Sequence, residues 1–116
     1  MQIVDARAAG RFAGTEPEPR PGLRGGHIPG SCSVPSGTIL NPDGTLRSHD
    51  ELLEIFKKAG IDPRNPVVTT CGSGVTAAML SLALAVVGQT NAGVYDGSWA
   101  EWGQDGKSTP VATGNA

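Results

Sequence analysis

Apolar residues in this chain fall into short runs separated by glycine- and proline-rich turns, with one longer exception. "QIVDAR" opens on an apolar pair ending at Asp5 and predicts a first strand leading into a site. "ARAAGRF" predicts a turn or two of helix before Gly14, "SCSVPS" a second short strand, and "NPDG" a tight turn. The strongest helical pattern is "SHDELLEIFKKAG", in which Leu52, Ile55, Phe56 and Ala59 share one face. Ser48 and Glu51 have the spacing of a capping box, where each side chain satisfies a first-turn backbone N–H. Lys57 and Lys58 occupy the last turn, where the helix dipole favours cations, and Gly60 is a natural stop. "PVVTT" predicts a central strand, Thr76 to Val87 a helix apolar almost all round, and "AGVYDG" a fourth strand before a brief helix near "SWAEW".

Strand and helix alternate, which predicts an α/β fold: a mostly parallel central sheet with helices on both faces. Such sheets bind ligands beyond the carboxyl ends of their strands. The 116 residues suit one domain with a single core, placed at 1–103. Residues 104–116 are polar and glycine-rich and are expected to form a flexible C-terminal tail. "GTEPEPRPGLRGGHIPG" is too rich in proline and glycine for regular structure, and a loop of that length is usually functional or disordered.

Composition narrows the function classes. Aromatics make up only 4%, so Val, Leu, Ile and Ala must build the core. A net charge of −2 gives no basic face for nucleic acid. "TAAMLSLALAVVG" is too short to span a bilayer, so no membrane is expected, and "MQIVDARAAG" does not read as a signal peptide. Two cysteines, Cys32 and Cys71, form no dense framework, which suits reduced thiols in an intracellular compartment, cytoplasmic or mitochondrial. Their spacing with the two histidines matches no zinc site, and neither a metal nor a cofactor is expected.

The candidate chemistry lies in "VVTTCGSGVTAAML", a strand, a glycine-rich loop opened by Cys71, then a helix. Gly72 and Gly74 allow the loop to curl with several N–H groups pointing inward. The helix beginning near Thr76 adds the positive end of its dipole. A thiol in that setting is favoured as thiolate, and the same cradle favours an anion carried on the sulfur. A cysteine phosphatase closes such a loop with an arginine six positions after the cysteine. Ala77 stands there, and the loop carries no Lys or Arg, so a doubly charged oxyanion fits poorly.

"CGSGVT" resembles the active loop of rhodanese-type sulfurtransferases, in the form found in those that use 3-mercaptopyruvate. Thiosulfate-using relatives carry basic residues where Gly72 and Ser73 stand. "VDAR", "GRFAGTEPEPR", "GHIPG" and "YDGSWAEW" resemble the family's second, catalytic domain in the same order. The resemblance implies a rhodanese-like three-layer fold, with Cys71 attacking the donor's sulfur, pyruvate leaving, and a persulfide passing to a thiol, thioredoxin or cyanide. It also implies that Arg11 and Arg20 hold the donor's carboxylate and keto oxygen, for which arginine's planar fork is suited. Ser73 is implied in proton movement, and the backbone of Gly72, Ser73, Gly74, Val75 and Thr76 in holding the thiolate and bound sulfur. Such family members usually carry two domains with the site between them. The implied partners are therefore a small-molecule sulfur donor, a thiol acceptor and a second rhodanese-like domain.

Two rivals stand beside this reading: a non-catalytic sulfur-carrier or interaction domain, or an isolated fragment with little activity alone; and a phosphatase or arsenate reductase of cysteine type. Cys32 is read as an inert structural thiol, His27 as a structural histidine bonded to nearby backbone, and Arg7 as an ion-pair partner. Trp99 and Trp102 are read as packing residues and His49 as a solvated first-turn residue.

Overall fold

A computed structural model describes residues 2–19, 21–72, 76–90, 92–95 and 97–114. Four strands, β1 (Gln2–Asp5), β2 (Cys32–Ser33), β3 (Val67–Thr70) and β4 (Ala92–Val94), form one sheet in the order β2-β1-β3-β4. Every pairing in it is parallel. Between the strands lie α1 (Ala9–Ala13), a 3-10 turn at Ser36–Ile39, α2 (His49–Lys58) and α3 (Ala77–Val86), with α4 (Ser98–Trp102) following β4. This is the α/β architecture expected from the alternating pattern.

Local chemistry explains the main elements. α2 starts at the expected capping box: the Glu51 N–H donates to the Ser48 hydroxyl and the Ser48 N–H to the Glu51 carboxylate, each at 3.3 Å. Its apolar face buries Leu52 and Phe56 completely, each contributing about 1.5–3 kcal/mol relative to exposure. Ile55 and Ala59 are half-buried beside them. α3 turns Ala77, Leu80, Ala83 and Leu84 onto the sheet, while Leu82 and Val86 face outward at 58% and 43% exposure. Being apolar all round therefore means buried on one side and bare on the other. Val4, Val34, Ile39, Val67 and Cys71 complete the main core.

The strand order places a switch point between β1 and β3. The chain leaves β1 towards β2 and leaves β3 towards β4, so the two exits diverge and open a crevice at their carboxyl ends. Asp5 pairs in register with Thr70, and the Ala6 N–H donates to the Thr70 carbonyl at 2.8 Å. Asp5–Arg7 and Cys71–Gly72 are thereby set side by side.

Residues 104–114 run back over the proline-rich loop. His27 and Ala112 exchange main-chain hydrogen bonds of 2.9 Å in both directions, and the Gly114 N–H donates to the Ala13 carbonyl at 2.8 Å. Gly26, at φ 109°, permits this approach: a Cβ there would overlap the Ala112 carbonyl oxygen. Arg24 reaches across to the carbonyls of Trp102 and Thr109 at 2.9 and 3.0 Å.

Candidate active site

Cys71 directly follows β3 and is 1% exposed. Its backbone is clamped by the start of α4. The Cys71 N–H donates to the Ser98 hydroxyl at 3.1 Å, and the Cys71 carbonyl accepts from the Trp99 N–H at 2.9 Å. The next carbonyl, of Gly72, accepts from the Ala100 N–H at 2.9 Å. The strand exit is thus fixed by three bonds before the loop begins. Thr76 is the N-cap of α3, which starts at Ala77, so the helix N-terminus follows the loop as the sequence predicts. Ser73, Gly74, Val75 and Arg20, all named as candidate site residues, lie outside the described residues.

Arg11, on α1, reaches this loop. A Cβ on Gly72 would stand 2.8 Å from an Arg11 Nη2 atom, so only the absence of a side chain lets the guanidinium lie this close. Glu18 grips Arg11 from behind, accepting from Nε at 3.1 Å and from Nη2 at 2.9 Å. The hydrogen bond with Glu18 raises the Arg11 pKa above its ordinary value; burial opposes this, and the negative charges of Glu18, Asp5 and Cys71 add to it. The cation is permanent at any working pH.

Arg7 is a structural ion-pair partner, as expected. Its Nε and Nη2 bind Asp5 at 2.8 to 3.1 Å, Nη2 also donates to the Gly26 carbonyl at 2.7 Å, and Nη1 to Glu18 at 3.3 Å. The guanidinium carbon stands 4.5 Å from the centre of the Trp99 ring, a cation–π contact. Trp99 is buried and its indole N–H donates to the Arg24 carbonyl. His27 is fully buried, stacked on Phe12 with ring centroids 3.7 Å apart, and its Nδ1 lies 2.8 Å from the Phe12 carbonyl oxygen. Those contacts give it the structural role expected. Burial raises the Cys32 thiol pKa, which suits an inert thiol and opposes a nucleophile.

Sequence reasoning missed two residues. Glu18 sits in a proline-rich run without periodicity, and nothing in that run reveals that two arginines share its carboxylate. Ser98 stands 27 positions after the cysteine whose amide it receives, in "DGSW", which reads only as a helix start. No group of His, Cys, Asp and Glu suited to a metal ion occurs among the described residues, and no helix among them is long and apolar enough to cross a membrane.

The arrangement supports covalent chemistry: a cysteine after the central strand, a fixed cation beside it, and a helix N-terminus beyond the loop. Over 102 residues the chain is 52% identical to 3-mercaptopyruvate sulfurtransferase of Escherichia coli (strain K12), covering 88% of this chain and 36% of that protein. It is 47% identical over 103 residues to thiosulfate sulfurtransferase of Rattus norvegicus, covering 88% and 35%. Among solved structures, the Tum1 protein of Saccharomyces cerevisiae superposes with a TM-score of 0.87 at 36% identity, covering 99% of this chain and 40% of that one. The chain thus spans about a third of the length of these two curated relatives. The model of the rhodanese-like domain matches residues 1–105, and the chain belongs to that family.

Proposed function

We propose that this domain transfers a sulfane sulfur through a persulfide on Cys71, with 3-mercaptopyruvate as donor and thiosulfate less favoured. The observation that carries the proposal is the Arg11 guanidinium lying against Gly72, next to a cysteine at the switch point of the sheet. A cation there suits the carboxylate of an α-keto acid, and Arg20, from the same loop, is assigned the same role.

The Cys71 thiolate attacks the thiol sulfur of 3-mercaptopyruvate, forming the S–S bond as the C–S bond breaks. The C–S electron pair passes to carbon as the enolate of pyruvate, which takes up a proton moved by Ser73. The persulfide is held by backbone N–H groups between Gly72 and Thr76. An acceptor thiolate, on a small molecule or a thioredoxin-like protein, then attacks the outer sulfur and regenerates the Cys71 thiolate; cyanide leaves as thiocyanate by the same displacement. The neutral residues Gly72 and Ser73 support the choice of donor.

A second reading is a sulfur carrier that works beside a further rhodanese-like domain. Two observations favour it: the chain spans about a third of its relatives' length, and α3 leaves Leu82 and Val86 bare. Steady-state assays with the two donors and cyanide separate the readings. Pyruvate release with a higher kcat/KM for 3-mercaptopyruvate supports the enzyme. Persulfide formation without turnover supports the carrier, and thiosulfate preference overturns the choice of donor.

A further inference from the structure

Four charged side chains stand in single file from the end of β1 to the cysteine loop: Asp5, Arg7, Glu18 and Arg11, alternating in sign. The first three side chains are about 1% exposed and Arg11 is 26% exposed. Asp5 already neutralises Arg7 through a bidentate pair, so Arg7 does not require a second carboxylate. Burying a further carboxylate is costly, and the group that gains from it is Arg11. Glu18 takes the Nε–Nη2 edge of that guanidinium, which turns the Nη1 edge away from Glu18.

We propose that Glu18 is a positioning residue for the sulfur-transfer site. Its carboxylate holds Arg11 against Cys71–Gly72 and offsets the guanidinium charge, so that Arg11 offers a donor edge to substrate instead of closing as an ion pair on the Cys71 thiolate. This rests on Cys71 being the sulfur-carrying nucleophile. Arg11 and Cys71 do feel each other's charge, as do Arg11 and Asp5.

The test uses the full chain with Glu18→Gln, which keeps shape and removes charge, its folding checked by circular dichroism. The first readout needs no turnover: the rate of Cys71 alkylation by iodoacetamide against pH, followed by peptide mass so that Cys32 is not counted. Arg11 is a charged group that acts on the thiol, and it is joined in turn to Glu18, Arg7 and Asp5. With Glu18 neutral, Arg11 pairs with the thiolate and the alkylation midpoint falls by roughly 1 unit. The second readout is kinetic: KM for 3-mercaptopyruvate rises several-fold while kcat changes less, a split that a smaller folded fraction would not produce. An unchanged midpoint in folded Glu18→Gln overturns the proposal. If the wild-type chain turns over neither donor, the proposed activity fails, yet the alkylation midpoint still decides the role of Glu18. Should Glu18→Gln not fold, Arg11→Lys removes the two-point grip of Glu18 on the cation, and the midpoint is expected to fall in the same direction; an unchanged midpoint there overturns the proposal equally.

Discussion

The Cys71 amide and the Ser98 hydroxyl are joined by a 3.1 Å hydrogen bond, and Ser98 is the one non-glycine residue at positive φ (48°) among those described. The same hydroxyl donates to the Tyr95 carbonyl at 2.8 Å, so both of its capacities are used. Ser98→Ala removes the hydroxyl that accepts from the buried Cys71 amide and keeps the backbone strain. It is expected to lower stability by about 1–3 kcal/mol. Ser98→Gly loses the same bond but relieves the φ, and should be more stable than the alanine variant by roughly 1 kcal/mol. Chemical denaturation of the two variants checks the order; alanine equal to or above glycine would contradict it.

Arg7 is the hub of the buried charges. Arg7→Met strands Asp5 without its cation and leaves Glu18 to Arg11 alone; it is expected to cost about 3–5 kcal/mol. Adding Asp5→Asn should recover part of that loss, because the stranded charge is then gone. A double-mutant cycle in urea measures the coupling, and additivity of the two changes would argue against the hub.

The single tyrosine gives a clean titration. Burial and the hydrogen bond from Tyr95 to Glu101, 2.5 Å long, push its pKa up to about 12 from 10.0. A raised pKa means that the folded state favours the protonated phenol. Its contribution is fully present below the unfolded value and is lost as pH rises through about 12. Ultraviolet difference absorbance should show tyrosinate appearing near 12 in the native protein. Glu101→Gln should bring that midpoint down towards the unfolded value.

Main-chain pairing of His27 with Ala112 makes the behaviour of the last residues measurable. Hydrogen exchange should protect the Ala112 amide, which donates to the His27 carbonyl, well beyond the rate of an unstructured peptide. Exchange of the Ala112 amide at the unstructured rate would match the flexible tail that composition suggests.

Much of the fold could be read from local pattern because its determinants are local. The Ser48–Glu51 box, the apolar face of Leu52 and Phe56 and the Val67–Thr70 strand each declare themselves within one helical turn or one strand. The position of Cys71 between β3 and α3 was legible for a similar reason, because the strand before it and the helix after it are each local patterns. Glu18 and Ser98 were not legible, because their roles arise from contacts across the fold. Glu18 matters where two arginines converge, and Ser98 where α4 meets the end of β3. The main-chain pairing within residues 104–114 was not legible for another reason. The exchange between His27 and Ala112 joins main-chain groups, which leave no side-chain signature.

The central claim is that Cys71 carries the transferred sulfur. Intact mass after exposure to 3-mercaptopyruvate, followed by peptide mapping, tests it most directly. One added sulfur is expected on the Cys71 peptide, discharged by a thiol and absent in Cys71→Ser. Addition to Cys32 instead, or sulfur uptake unchanged in Cys71→Ser, would contradict it.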